Sequence, residues 1–286
     1  MQASIVSVEA LEHTLALRDL TDPTQGPHAL QQLIELAHTA LARRWNCPRQ
    51  LHRGSPLVAA STHYDDLGHA ADDLRYARHV SASHMLRSQT AALVPGLLRG
   101  LALDPPQDLL LVCPGMVYRR ASVDRLHIGE PHQLDLWRIA RQPLGAVQLG
   151  EMAQTVLRAL LPNHAYRLLP SPRPHLSHGM RIEVYWQDQP VEIGECGLAA
   201  PALLRRCGHD PAQIAGLAMG LCLDRMLMIR KNIPDIRLLR AEDPRIAVQM
   251  LDLEPYRPVS PQPPVRREPA VAVDGAPDAG LVGEAP

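Results

Sequence analysis

Arg119 and His127 lie eight residues apart in GMVYRRASVDRLHIGEPHQLDLW, the stretch from Gly115 to Trp137 that concentrates charge, turn residues and hydrogen-bonding side chains. A guanidinium grips phosphate oxygens bidentately and an imidazole adds a further donor, so the two could converge on one anion, and a triphosphate suits them. The competing reading makes Arg119 and Arg120 surface charges on a solvated hairpin. Gln133 and Asp135 share one face of the returning segment, because side chains repeat every second residue along a strand. Turned inward they form a hydrogen-bonding floor for a polar ligand; turned outward they are ordinary solvent residues.

Glu192 stands two residues before Gly194 in VEIGECG, and a carboxylate beside close-approach glycines can hold Mg²⁺ against phosphate oxygens. A lone glutamate on a strand is otherwise solvated. Arg225 lies in AMGLCLDRMLMIRK, an apolar stretch where a buried guanidinium needs a partner. The chain has 14 histidines, but no HxxxH or HxH pair falls on a predicted helix with a carboxylate partner, so the pattern does not point to a histidine metal site.

These residues need elements to position them. LLLVCPGMVYR reads as a strand and HQLDLW, alternating polar and apolar, as its return, giving a long hairpin with a polar loop between. Upstream, a short amphipathic helix and a loop end in DPTQGP, and HALQQLIELAHTALARRW places Leu30, Leu33, Ile34, Ala37 and Leu41 at helical spacing. Residues 46 to 85 read as irregular, and MLRSQTAALVPGLLRGLAL as a strand end turning into a helix from about Ala91. Downstream come the helix QLGEMAQTVLRALLP, stopped by Pro162; strands RIEVYW and QPVEIG, joined at Asp188; the helix LLRRCG; and a final helix over GLAMGLCLDRMLMIRK. The absence of βαβ alternation, of GxGxxG and of a Walker motif makes the fold α+β, an antiparallel β-sheet flanked by helices. Three segments result: a lead-in over 1–27, a core over 28–259, and a Pro/Ala/Gly-rich tail over 260–286 whose composition cannot offset the entropy of ordering.

With 286 residues, 46% hydrophobic and 21% charged, the chain can bury a sizeable core. Its net charge of -1 supplies no global positive field for nucleic acid, so any RNA partner must be bound locally. The five cysteines form no CxxC pair, which argues against a zinc ribbon or a disulfide framework and fits a reducing cytoplasm. No signal peptide and no run approaching the ~18–20 apolar residues of a membrane span is present, so no membrane partner is expected. Phenylalanine is absent altogether.

GMVYRRASVDRLHIGEPHQLD resembles motif 2 of the phenylalanyl-tRNA synthetase alpha subunit, with its pattern G-x-V-[FY]-R followed by D-x-T-H and F-H-Q-x-E. VEIGECGLAAPALLRRCGHDPAQIAGLAMGLCLDRMLMIRKNIPDIRLL is similar to that family's E-x-x-G-x-G-M-V-x-P, its G-I-D-P, its motif 3 sequence G-F-A-F-G-x-G-x-E-R and its G-I-x-D-I-R. LRSQTAALV resembles L-R-T-[HQ]-T-S, and the helix around Leu33 to Arg44 sits where motif 1 would be. The likeness covers roughly residues 28 to 245 in family order. It implies a class II synthetase catalytic core that binds ATP in a bent form and joins it to an amino-acid carboxylate. On that resemblance Arg119 would clamp the α-phosphate, His127 would meet the γ-phosphate, and Arg225 would lie against adenine and the γ-phosphate. Glu192 would help hold Mg²⁺. Gln133 and Asp135, the latter in place of the family's Glu, would grip the ammonium group, with Ser88, Gln89 and Thr90 nearby.

The departures from the family pattern carry as much information. Pro131 stands where the family's adenine-stacking Phe would be, and Ala121 replaces the acidic residue two after the motif 2 arginine. PSPRPH matches the pocket signature P-S-Y-F-P-F, so two ring-contacting phenylalanines become Arg173 and His175. Leu217, Ala218 and Met219 occupy the F-A-F positions, with Ala218 in the amino-acid pocket, and Cys222 the second glycine of motif 3. The family's N-terminal tRNA-gripping arm has no counterpart in the lead-in.

The resemblance and these departures together lead to an ATP- and Mg²⁺-dependent ligase activating a polar or acidic amino acid rather than phenylalanine. The acceptor would be tRNA or a carrier protein, and motif 1 implies a homodimer. Two alternatives stay open: a catalytically reduced amino-acid or nucleotide-binding regulatory module, and a phenylalanine–tRNA ligase subunit needing a partner chain.

Overall fold

The computed structural model describes residues 5–69 and 77–260. The tail expected over 260–286 lies outside the described residues beyond Ser260.

Helices α1 (Val8–Ala16) and α2 (Ala29–Trp45) open the chain, followed by short strands β1 (Arg49–Leu51), β2 (Leu57–Ala59), β3 (Arg78–His79) and β4 (His84–Leu86). A 3-10 turn, Thr90–Leu93, leads into α3 (Val94–Leu101). The long hairpin is β5 (Asp108–Met116) and β6 (His132–Ala140), and α4 (Ala146–Leu160) follows. Then come β7 (Tyr166–Pro170), β8 (Leu176–Trp186), β9 (Gln189–Ala199), α5 (Pro201–Arg206), β10 (Ala215–Cys222), α6 (Leu223–Lys231) and α7 (Pro244–Ala247).

Seven strands form the main sheet in the order β1-β5-β6-β10-β9-β8-β7. All pairs are antiparallel except β1 with β5. The expected α+β architecture is therefore the one observed. The β8–β9 turn sits at Gln187 and Asp188, both at positive φ (50° and 60°), matching the twist of a two-residue hairpin.

One face of the sheet packs on α2, α4 and α6, where Leu33, Leu41, Leu134, Leu136, Met152 and Val156 are fully buried. Each such aliphatic contributes about 1.5–3 kcal/mol through burial. Helix α2 starts where the His28 ring accepts from the Leu30 amide (3.2 Å) and stops at Asn46, in the left-handed conformation (φ 49°). The opposite face is covered only at one end, by α3 and α5 around Trp137, and is otherwise free to carry polar groups.

Two expectations are corrected. The stretch Ala215–Cys222 is a central strand rather than the start of the last helix, because both of its faces are covered and it shows no polar alternation. Residues 46 to 85 hold four short strands, three of them in a separate small sheet ordered β2-β4-β3.

A buried polar junction ties the end of this sheet to α6. The His132 amide and Nδ1 both bond the Asp224 carboxylate (2.5 and 3.0 Å), while Nε2 accepts from the Leu20 amide (3.1 Å) and the Arg240 guanidinium (3.2 Å). Since Nε2 accepts, the ring proton sits on Nδ1 and donates to Asp224. Burial would push the Asp224 carboxyl up, but the hydrogen bonds from His132 and the charge of Arg240 outweigh it and hold it below the usual range. Replacing Asp224 by Ala strands two buried donors and is expected to cost about 3 kcal/mol or more in urea unfolding, with Asp224→Asn costing less. An Ala variant as stable as the parent would show that the junction does not hold the two elements together.

Candidate functional site

The polar face of the sheet presents a group of side chains set by strand register. Cross-strand partners place Cys113, Asp135, Gly220 and Glu195 in one row across β5, β6, β10 and β9. Directly opposed residues share a face, so Asp135 and Glu195 stand on the same side with only Gly220 between them. Gln133 lies one pleat toward the hairpin loop and Trp137 one pleat the other way.

Asp135 is buried, accepts from Thr90 Oγ1 (2.5 Å) and from the Trp137 indole (3.4 Å), and its neighbour Gln133 accepts from the Thr90 amide (3.3 Å). Burial pushes the Asp135 carboxyl up to about 6, against the pull of the Thr90 and Trp137 hydrogen bonds, and the Glu195 charge adds to the rise. Gln133, Asp135 and Thr90 thus come together, as the sequence predicts. Gln89 stands beside them and bonds His69 (2.7 Å), while the Ser88 hydroxyl approaches His63 (3.5 Å). His63 rises from a π-helical turn, Thr62–Asp66, and stacks on His69 with ring centroids 4.3 Å apart.

Arg119 follows β5, half-buried, and its Nε donates to the Ser88 carbonyl (2.8 Å). Burial pulls its guanidinium below the ordinary value, with Cys222, Glu195 and Asp135 opposing and Arg225 reinforcing that shift. Arg225 lies in the first turn of α6, half-buried, and donates to the carbonyls of Leu126 (3.1 Å) and Glu192 (2.7 Å). Among the described residues neither guanidinium has a carboxylate within ion-pair distance, an arrangement that suits an incoming anion.

His127 does not join Arg119. It is exposed and bonded to Asp124 (2.9 Å), next in the chain to Leu126, whose carbonyl Arg225 holds. Pro131 is buried at the foot of β6, and its carbonyl accepts from the Val117 amide (2.8 Å). Ala121 is exposed. The Glu192 carboxylate is exposed to solvent. Among the described residues no three His, Cys, Asp or Glu side chains converge to cage a metal. Mg²⁺ does not need such a cage, since one carboxylate plus substrate phosphates and waters hold it, and Glu192 fits that donor set. Ala218 is buried opposite Trp137, below the row of Asp135 and Glu195. Arg173 and His175, from the β7–β8 connection, both reach the site: the Arg173 Nε donates to Glu195, and the buried His175 Nε2 lies 3.9 Å from the same carboxylate.

Several positioning residues escape a reading of motifs alone. Glu195 stands at the first glycine of the pattern E-x-x-G-x-G when that pattern is set on Glu192, a departure visible in the sequence. Arg87, buried, donates to the carbonyls of Met116 (2.9 Å) and Gly54 (2.9 Å), and a Cβ on Gly115 would lie 2.2 Å from its guanidinium, so that position needs glycine. Arg78 bonds Glu130 (2.5 Å) and the Arg119 carbonyl (2.9 Å), bracing the base of the hairpin loop. Arg87 is the arginine of LRSQTAALV, a likeness that gives it no role, and nothing in its spacing signals Arg78.

Residues 32–250 match the family described as tRNA synthetases class II core domain (F). The phenylalanine–tRNA ligase alpha subunit of Prochlorococcus marinus (strain MIT 9313) is 32% identical over 181 residues, 63% of this chain and 52% of that protein. The same subunit of Synechocystis sp. (strain ATCC 27184 / PCC 6803 / Kazusa) is 30% identical over 183 residues, 63% of this chain and 54% of that protein. The chain thus spans about half the length of the curated relatives it matches. Among solved structures, pyrrolysyl-tRNA synthetase from Desulfitobacterium hafniense shares the fold, with a TM-score of 0.57 and 19% identity over 80% of this chain and 76% of that one.

An ammonium ligand needs Asp135 ionised, so amino-acid affinity measured by calorimetry is expected to rise as pH passes upward through about 6. Folding moves the opposite way: a carboxyl raised above its unfolded value stabilises fully below about pH 4 and loses that contribution as pH rises through about 6. Asp135→Asn is therefore expected to be more stable than the parent at pH 8, by up to roughly 3 kcal/mol, while losing amino-acid binding. A variant that keeps affinity, or is less stable at pH 8, contradicts the assignment.

Proposed function

This chain belongs to the class II tRNA synthetase core domain (F) family, with a core like that of the phenylalanine–tRNA ligase alpha subunit, and from that premise we propose that it activates a polar amino acid, rather than phenylalanine, as its adenylate. The observation that carries this reading is the juxtaposition of charges at the hairpin end of the sheet. Among the described residues Arg119 and Arg225 donate to neutral carbonyls, and Arg119 feels both Arg225 and the buried Asp135 carboxylate. Anion and cation sites lie side by side, as the carboxylate-to-phosphate chemistry of amino-acid activation requires.

In the proposed step Asp135 and Gln133 hold the ammonium group, and Ser88, Gln89 and Thr90 frame it. A carboxylate oxygen of the amino acid attacks the α-phosphorus of ATP. A new P–O bond forms, the bond to pyrophosphate breaks, and its electron pair leaves with pyrophosphate. Arg119 neutralises charge building on the α-phosphoryl oxygens, and Arg225 with His127 receives the leaving end. Mg²⁺ would supply further neutralisation of the phosphate oxygens, with Glu192 as its protein ligand. The aminoacyl group would pass to tRNA or a carrier protein, and the chain would work in the cytoplasm as a homodimer, a state that light scattering reads directly.

A second reading, a phenylalanine–tRNA ligase subunit acting with a partner chain, draws on the printed name of the relatives and on their greater length. Arg173, His175 and Glu195 oppose it, because they replace an apolar ring pocket with ionised and hydrogen-bonding groups. Amino-acid-dependent exchange of pyrophosphate into ATP, run across the standard amino acids, is expected with at least one of them. Arg119→Ala is expected to lower it about 10²- to 10³-fold. No exchange with any amino acid, or exchange with phenylalanine alone, would overturn the proposal.

A further inference from the structure

Register defines the space beside Asp135. Gly220 separates Asp135 from Glu195, and the next row places Trp137, Ala218 and Gly197 opposite one another. Two strand spacings put the Asp135 and Glu195 backbones about 9–10 Å apart. Between them the floor carries only Gly220, Ala218 and Gly197. One wall of this slot is charged, since Glu195 bonds the Arg173 guanidinium. The buried His175 ring lies between Trp137 (centroids 6.3 Å) and His69 (5.6 Å), and His69 bonds Gln89 (2.7 Å). The His175 Nδ1 is buried and has no hydrogen-bond partner among the described residues.

Each class of side chain meets this arrangement differently. A phenyl ring would have to part the Arg173–Glu195 pair and would leave His175 Nδ1 unsatisfied, both costly in a desolvated site. A carboxylate would face Glu195, and the cation that the sequence offers to receive it, Arg173, is already paired. A long cationic chain would have to displace Arg173 from Glu195. A short hydroxyl or carboxamide fits the narrowed slot and completes the hydrogen bonding of the imidazole. Burial holds the His175 ring down to about 3, so at neutral pH it offers one donor and one acceptor.

Building on the activation reading, we infer that the site selects an amino acid with a short, uncharged, hydrogen-bonding side chain, of the serine, threonine or asparagine kind, and that the Arg173–Glu195 pair with His175 sets this specificity.

Sulfamoyl-adenosine mimics of the adenylates test the inference without requiring catalysis. Calorimetric titration of the full chain with the serine, asparagine, aspartate and phenylalanine mimics is expected to show the serine or asparagine mimic at least about tenfold tighter than the other two. In the double variant Arg173→Phe/Glu195→Gly the phenylalanine mimic is expected to gain at least about tenfold on the polar ones. Tightest binding of the aspartate or phenylalanine mimic to the parent chain, equal binding of all four, or no binding of any overturns the inference. Pyrophosphate exchange separates it from the reading beneath it. Exchange with phenylalanine alone keeps activation and overturns the specificity; a tight serine mimic without exchange keeps the specificity and overturns activation.

Discussion

The bond between His132 and Asp224, buried completely, decides where Arg119 and Arg225 stand. His132 begins β6, across the hairpin loop from Arg119, and Asp224 precedes Arg225 in α6, so the pair locks the hairpin to the helix that faces it. The same imidazole accepts from the Leu20 amide and from Arg240, which draws the N-terminal lead-in and the turn Ile236–Arg240 into one junction. A low local dielectric makes such a network strong when every member is paired and costly when one is lost. The carbonyls that Arg225 holds at Leu126 and Glu192 then fix the loop and β9 relative to α6.

The site has two electrostatic halves. On the hairpin side, Arg119 and Arg225 carry positive charge and donate to backbone carbonyls among the described residues. On the sheet face stand Asp135 and Glu195, and the Glu195 charge adds to the rise that burial imposes on the Asp135 carboxyl. Arg173 pairs with Glu195, while Asp135 has no cation at ion-pair distance among the described residues. Cys222 lies where the halves meet, beside Arg119 and Arg225, and burial pushes its thiol up so that it adds no charge there.

Much of this was legible in the sequence. The β5–β6 hairpin, α2 and the β8–β9 turn at Asp188 follow from alternation, 3.6-residue spacing and turn chemistry, and they lie where those signals put them. Strand β10 did not, because AGLAMGLC is buried on both faces and its Ala, Leu and Met also suit a helix; only its neighbours in the sheet decide between the two. The grouping of Gln133, Asp135 and Thr90 was readable from strand parity and motif resemblance. The separation of His127 from Arg119 was not, since eight residues of loop leave the tip free to pair with Asp124. Glu195 is signalled only by a glutamate at a glycine position of the motif, three residues after Glu192. The pairing of Arg173 with Glu195 joins the β7–β8 connection to β9 across 22 residues, and no local spacing encodes it.

Arg119 and Arg225 persist although Pro131 and Ala121 stand where the family pattern has adenine contacts, so the proposed activation depends on whether nucleotide is held. Calorimetric titration of the chain with ATP and Mg²⁺ measures this directly. The account predicts saturable one-to-one binding that is lost in Arg119→Ala; no detectable binding to the parent chain, or binding unchanged in the variant, would contradict it.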